Sequence, residues 1–410
     1  MILLLAFVMV VFTVLTPQPA FSAPATTIDE LAKMYSIEKC AECHKDLNDI
    51  HSEWKDSWHA KSLIDSRVIR VWRTFILNGL DKDGLPRKEL KGACLKCHAP
   101  QIDNATDEVA VKIAELVVTA ADDKDAAKRD AAIKELSKVN INCLICHNMK
   151  ATPDGKPEAG AVYGPKGPEK IDPTPHEEEK IKSIKSDFLK TSEFCAQCHH
   201  GCDPSISSEM CPTLFTNYKE HYIKQGGTKT CQDCHMQGTD YKSHKFPGIM
   251  DVDFAKTGIE LTLNASPTQY VYHLENKIVP AAIVNIQLKN TAGHGIPHGC
   301  VYIPSASLDV TVKDQNGKVI YTKSKEYIVN DFYVKAVDPQ AKNPIVLANW
   351  WFDRQVHLHE GIDPGEVDSI TFVIPLEVGT KSVNVEAAFK FVYEKGKEAV
   401  WNSVSKKVEF

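Results

Sequence analysis

The chain has 410 residues, of which 43% are hydrophobic and 25% charged, and its formal net charge is −6. That length suffices for two domains, and the composition is that of a soluble protein, which excludes a largely disordered chain. The mild acidity gives a nucleic-acid partner no electrostatic footing.

The N-terminus opens on an apolar run from Ile2 to Leu15, followed by Thr16-Pro17-Gln18-Pro19-Ala20-Phe21-Ser22-Ala23-Pro24-Ala25. This reads as a secretory signal peptide over residues 1–25. Small residues at Ala23 and Ala25 favour a cut after Ala25, since a cut after Ala23 leaves Pro24 first. No Lys or Arg precedes the apolar core, which leaves open an upstream start or a retained anchor with peripheral membrane association; at about 14 residues the run is short for a span. Export is the expectation, to the periplasm or the cell surface.

From Thr26 to about Met250 one short device recurs five times. The copies are Cys40-Ala41-Glu42-Cys43-His44, Cys94-Leu95-Lys96-Cys97-His98, Cys143-Leu144-Ile145-Cys146-His147, Cys195-Ala196-Gln197-Cys198-His199 and Cys231-Gln232-Asp233-Cys234-His235. Two thiols three positions apart can add to the two vinyl groups of one haem, and the adjacent His then lies below the iron as its axial ligand. A single Cys-x-x-Cys also serves redox dithiols and zinc sites, but zinc gives no reason for His after every second Cys. Disulfide scaffolding fails too, because two cysteines within one turn are poorly placed to serve distant bridges. Five covalently attached haem c groups are therefore expected. Attachment takes place outside the cytoplasm, which agrees with export.

The motifs start 36 to 54 residues apart, and the segments between them are too short and polar to build separate cores. The haem discs must supply the core, so helices should be short and folding should depend on attachment. The exception is residues 107–139. There Val109, Ile113, Leu116 and Val117, then Ile133, Leu136 and Val139, keep helical spacing around a charged break at Asp122-Asp123-Lys124-Asp125, which predicts two antiparallel helices. Thr152 to Pro175 is rich in Pro and Gly, including Tyr163-Gly164-Pro165-Lys166-Gly167-Pro168, and predicts an irregular loop.

Thirteen cysteines less ten in the motifs leave Cys202, Cys211 and Cys300. In an oxidising compartment Cys202 and Cys211 can close a small disulfide loop; three unreactive thiols is the alternative.

After about Leu261 cysteine all but disappears and the period becomes two. Ala282, Val284, Ile286 and Leu288 alternate with other residues, as do Leu308, Val310 and Val312, then Ile370, Phe372 and Ile374, then Val383, Val385, Ala387, Phe389 and Phe391. Asn316-Gly317 is a hairpin turn signal and Lys395-Gly396 a weaker one. The expected fold class is α+β: a haem-packed, mostly short-helix region over residues 26–260 and an immunoglobulin-like β-sandwich over 261–410.

Eleven histidines remain outside the motifs: His51, His59, His176, His200, His221, His244, His273, His294, His298, His357 and His359. A low-spin electron carrier needs one further ligand per haem, and neutral imidazole is the obvious donor. His221, on a predicted helix just before the fifth motif, can reach a neighbouring iron. His200 follows a motif His directly and points the other way, so it can serve an adjacent haem. His51 has a solvated or propionate-bonding role as its default. His273, His298, His357 and His359 fall in or near the strands; His357 and His359 share a strand face, where a metal or a neighbouring subunit's haem is an option.

The first motif followed by Glu53-Trp54-Lys55-Asp56-Ser57-Trp58-His59-Ala60 resembles the multihaem cytochrome family that includes the tetrahaem electron carrier of ammonia oxidisers. The likeness continues in Tyr163-Gly164-Pro165, His176, Ser192-Glu193-Phe194-Cys195, Cys231-Gln232-Asp233-Cys234-His235-Met236 and Ser243-His244-Lys245-Phe246-Pro247-Gly248. The resemblance implies distal ligation by His59, His176 and His244. Asn290-Thr291-Ala292-Gly293-His294-Gly295-Ile296-Pro297 matches a loop after the first strand of sandwich domains in similar proteins, which makes His294 either a ligand across the domain boundary or the anchor of a loop. Ile249-Met250-Asp251 departs from relatives that often carry a further His there.

The expected function is electron transfer along a row of mainly bis-His haems in periplasmic or extracellular respiration, between a redox protein donor and acceptor. Surplus histidines also permit a homo-oligomer or filament. The alternative is a reductase of nitrite, hydroxylamine or a related oxyanion at one open haem, although no Cys-x-x-Cys-Lys variant is present. A haem-stabilised binding module is a third class, for which five redox centres exceed any scaffolding need. No catalytic residue is assigned.

Overall fold

A computed structural model of the chain describes residues 23–44, 49–66, 68–69, 95–167, 175–199, 214–238, 241–297, 306–327, 329–334, 354–359, 361–394 and 397–410. The apolar N-terminal run, Cys94, His200, Cys202, Cys211, His298, Cys300 and Lys395-Gly396 lie outside these residues. The fold class is α+β, with helices before Ile259 and antiparallel sheets after it.

The predicted helix pair forms as Asp107–Asp122 and Ala126–Leu136. Along the first, Val109, Ile113, Val117 and Ala120 return to one face every three to four residues and are buried there. The charged break ends that helix and starts the next: Asp125 caps it, its carboxylate accepting a hydrogen bond from the Ala127 amide at 2.9 Å. Both helices share a core with Ile28, Leu31, Leu95 and Ile102. Ala25 joins this core through a parallel bridge to Ala105, its amide donating to the Asn104 carbonyl at 2.8 Å. A cut after Ala25 would remove that bridge, and a cut after Ala23 would keep it.

The segments carrying the motifs are built differently. Helix Glu38–His44 buries no side chain, and Ser192–His199 buries only Ser192. Isolated helices of this length are unstable in water without a packed face; Ser192–His199 is held by polar contacts, Gln197 Nε2 donating to the Lys150 carbonyl at 2.9 Å and Ser192 Oγ to the Tyr218 hydroxyl at 3.1 Å. The Pro- and Gly-rich stretch contains one regular element that its composition hides. β1 (Ala161–Gly164) pairs in parallel with β2 (Lys182–Lys185), in the register Ala161 to Lys182. Turn residues report local chain reversal and carry no signal for a partner strand eighteen or more residues away.

Among the described residues nine strands follow: β3 (Ile259–Tyr272), β4 (Lys277–Asn290), β5 (Ala306–Asp314), β6 (Val319–Tyr327), β7 (Val329–Val334), β8 (Arg354–His359), β9 (Val367–Pro375), β10 (Ser382–Glu394) and β11 (Lys397–Glu409). They assemble into antiparallel sheets of order β3-β4-β9 and β11-β10-β5-β6, with β7 and β8 as a separate pair. The alternating residues face inward: Val284, Ile286 and Leu288 from one sheet and Val310, Val312, Val385 and Phe389 from the other lie in one core. Asn316-Gly317 turns β5 into β6, with Gly317 at φ +81° and the Asp314 carboxylate accepting from the Asn316 and Lys318 amides. Among the described residues no helix is long and apolar enough to cross a membrane.

Phe389 is fully enclosed between Tyr327 and Trp401, with ring centroids 5.8 and 5.9 Å away. Phe389→Ala is expected to cost about 3–5 kcal/mol through lost burial and the cavity left behind, read as a lower urea midpoint with the far-ultraviolet circular dichroism unchanged.

Candidate haem-binding sites

Each described motif sits on a helical turn, which brings cysteines at i and i+3 to one face and places the next residue, the His, around the turn. The turns are Glu38–His44, Lys96–His98, Ile145–Met149, Ser192–His199 and Cys231–His235, the third of them a π-helical turn. The last is fixed by a capping box in which Thr230 and Asp233 satisfy each other's backbone amides. None of the nine described motif cysteines is in a disulfide.

Four pairs of imidazoles face one another at nearly one distance. Ring centroids are 6.3 Å apart for His44 and His176, 6.3 Å for His59 and His199, 6.2 Å for His147 and His244, and 6.3 Å for His235 and His294. Stacked rings in van der Waals contact lie closer than this. An imidazole nitrogen binds a transition metal at about 2.0–2.1 Å, and one metal ion between two such nitrogens spreads the ring centroids to about 6.3 Å. Each pair joins one motif histidine to a histidine from a distant segment, so both sides of such an ion would be occupied.

The second ring nitrogen is anchored in His147, His176, His235 and His294 of these pairs, and in His98. The Nδ1 atoms of His98, His147 and His235 lie 2.9, 2.8 and 2.8 Å from the carbonyl oxygens of Ser62, Tyr163 and Pro247. His294 Nδ1 lies 3.1 Å from its neighbour's carbonyl at Gly295, and His176 Nδ1 lies 2.9 Å from Ser183 Oγ. A carbonyl accepts only from the protonated tautomer, which leaves Nε2 with its lone pair free for a metal. Burial acts in the same direction. It pulls His59 down to about 3 and His199, His244 and His294 to about 4, each helped by neighbouring imidazoles. These rings are neutral at pH 7, the form that ligates.

The cysteines report which motifs adjoin. Cys97 and Cys198 are hydrogen-bonded through their sulfurs, as are Cys195 and Cys231. The contact with Cys195 holds the Cys231 thiol down at about 7, and it pushes Cys195 up. Cys143 is raised to about 12 by burial and then by nearby Cys40, while Cys146 lies close enough to Cys195 and Cys198 to raise both. The fourth motif thus touches the second and the fifth and neighbours the third, which in turn neighbours the first.

His221 stands apart from the four pairs. Its Nδ1 is 3.5 Å from the Asp363 carboxylate. Asp363 also accepts from Asn217 Nδ2 at 2.8 Å, and Asn217 Oδ1 accepts from the Gly295 amide at 2.5 Å. This chain of contacts ties the helical segment before the fifth motif to the loop that carries His294. From the sheet side the same loop is held by Asn290, fully buried, whose Nδ2 donates to the carbonyls of His294 and Ile362 at 2.8 and 2.7 Å. Glu53 plays a comparable part for His244, accepting from its amide at 2.8 Å. Phe246 packs edge-on against both His59 and His244, at 4.5 and 5.7 Å.

Of the other histidines, His51 packs on Trp54 at 5.7 Å and His273 lies in the turn between β3 and β4. His357 and His359 lie on β8. Asn217, Asn290 and Glu53 were not singled out by sequence. Asn290 had a faint signal as the first residue of the Asn-x-x-Gly-His run, whereas Asn217 acts only through contacts that the fold creates.

No family model and no curated protein matches the chain. Among solved structures, the penta-haem cytochrome c552 from Thermochromatium tepidum is similar in fold, with a TM-score of 0.57 and 19% identity over 92% of this chain and 99% of that one. Smaller overlaps occur with the C-terminal domain of wzt (TM-score 0.20, 7% identity, 37% of this chain and 74% of that one) and a β-glucuronidase from Bacteroides uniformis (TM-score 0.18, 13% identity, 37% and 13%).

Asn290→Ala removes both donors and leaves two carbonyls short of a partner in a buried place. A loss of about 2–4 kcal/mol is expected, measured by urea unfolding of the full chain.

Proposed function

We propose that the chain is an exported multihaem c-type cytochrome that transfers electrons between redox proteins in the periplasm or at the cell surface. The observation that carries this reading is the pairing of four motif histidines with four distant imidazoles at 6.2–6.3 Å. On this reading each Cys-x-x-Cys-His motif holds one haem c, five in all. His44 with His176, His199 with His59, His147 with His244 and His235 with His294 would each hold one haem iron, and His98 would serve the second motif. Haem iron supplies a one-electron redox couple when bound.

The chain's own residues keep that couple a carrier. At the four paired sites two imidazoles leave no position for a substrate, and the carbonyl contacts of His147, His235 and His294 hold those rings still, so little rearrangement accompanies a change of charge there. Adjoining cysteines set the order of contact. The first site neighbours the third and the third neighbours the fourth, where the path divides towards the second and the fifth. Cys43 is exposed while the other described motif cysteines are partly covered, which makes the first site the natural place for a partner to exchange electrons. Residues 26–260 form the haem-bearing domain. Residues 261–410 form an immunoglobulin-like sandwich that delivers His294 to the fifth site. We assign His221 to the contact with Asp363 that steadies that delivery.

Electron paramagnetic resonance of the ferric protein tests this arrangement. His294→Ala should add a high-spin signal worth one haem while the other three paired haems stay low-spin, and His221→Ala should leave the fifth haem low-spin. An unchanged spectrum for His294→Ala would overturn the assignment, and a pyridine haemochrome yield well below five haems per chain would overturn the count taken from the motifs.

A further inference from the structure

β3 and β4 run further than the sheet that supports them. Strand β9 pairs with β4 from Lys289 only as far as Ala281, and its last contact is the Leu376 amide donating to the Pro280 carbonyl at 2.8 Å. Beyond that point β3 and β4 continue alone through Tyr270–Val279, Val271–Ile278 and Tyr272–Lys277. They make an arm on the order of 15 Å long including its turn. A two-stranded ribbon is marginal in water by itself. This one also leaves apolar side chains in solvent: Val271 is 40% exposed, Ile278 59%, and Leu274 at the tip completely.

The outer strand of the arm, β3, is also an edge strand of its sheet, covered near its start by β11, whose Asn402 Nδ2 donates to the Ile259 carbonyl at 2.5 Å. Edge strands that stay solvated carry charges that discourage pairing. β6 does so with Lys323, Lys325 and Glu326, and β11 with Glu398, Lys406 and Lys407, each at the edge of the other sheet. From Leu261 to Tyr272, β3 holds no Asp, Glu, Lys, Arg or His. An antiparallel strand is complementary to itself, and with no charge along it, a twofold axis brings no like charges into opposition. Pro267 has no amide hydrogen and sits between the sheet body and the arm, which confines new pairing to Thr268–Tyr272.

We propose that this arm pairs edge to edge, β3 against β3 and antiparallel, with the same arm of a second copy of the chain, closing a twofold dimer. Main-chain hydrogen bonds supply the register. The Val271–Ile278 faces of the two arms lie side by side across the axis, and each tip points towards the base of the other arm. The inference is independent of how the haem sites are assigned.

Sedimentation velocity of the haem-loaded full chain tests it. The parent protein should sediment as a dimer, and Gln269→Lys with Val271→Lys, which sets like charges across the axis, should sediment as a monomer at the same concentration. Val319→Lys with Ile320→Lys on β6 should leave the dimer intact. Unchanged haem absorbance and urea midpoint verify that each variant is folded. A second reading avoids substitution: amide hydrogen exchange in the parent protein should slow at Thr268–Tyr272 as concentration rises. A monomeric parent at its highest soluble concentration, open-ended polymers, a dimer that survives the arm substitutions, or exchange at Thr268–Tyr272 that ignores concentration would each overturn the proposal.

Discussion

The separation between paired imidazoles is the constraint on which the helical half of the chain depends. Helices such as Glu38–His44 contribute no buried side chain, so apolar packing within the protein does not explain why they stand where they do. Their histidines do. His44 meets a residue from the helix Pro175–Glu178, His199 meets one from the turn after Ile50–Asp56, and His235 meets one from the loop after β4. Each pair ties sequence segments more than fifty residues apart. The cost of closing such loops grows only slowly with their length, so a few contacts of this kind can tie together a chain with little regular structure.

The same logic accounts for the buried, neutral character of these rings. An imidazole taken out of water loses the solvation of its charged form, and every further imidazole nearby makes protonation harder. His59 shows both effects, with His199, His235, His98 and His244 all acting on it. A cluster of uncharged histidines without acceptors would be costly, and the carbonyls of Ser62, Tyr163 and Pro247 meet that requirement on the Nδ1 side. Within each facing pair the ring centroids stay 6.2–6.3 Å apart.

What was legible in sequence follows from the range of each signal. The Cys-x-x-Cys-His runs are local and chemically specific, and the strand alternation at Val383, Val385, Ala387 and Phe389 records a buried face directly. The helix pair at Asp107–Asp122 and Ala126–Leu136 was readable for the same reason. His59, His176 and His244 were reached through a resemblance in their flanking residues, and each faces a motif histidine here. His221 was expected as a ligand because it lies on a helical turn close to the fifth motif. In the structure its Nδ1 lies 3.5 Å from the Asp363 carboxylate. The parallel pairing of β1 with β2 and the roles of Asn217 and Asn290 depend on partners brought together only by the fold, so no local pattern announces them.

The loop from Asn290 to Pro297 has to satisfy two bodies at once. Its backbone is clamped to the sheets, through Asn290 and through the reciprocal hydrogen bonds between Ile296 and Ile362 at 3.0 and 2.8 Å. Its side chain His294 faces His235, and its Gly295 amide is held by Asn217 from the helical side. A loop anchored on one body alone would let the imidazole drift as the two bodies moved. Anchored on both, it turns the contact between them into a matter of ring placement: any shift of the sheets relative to the Cys231–His235 helix must stretch the His294–His235 separation or break the Asn217 contacts. On the proposed reading the sandwich is therefore part of the fifth site, because the geometry that closes that site exists only while the two bodies are docked.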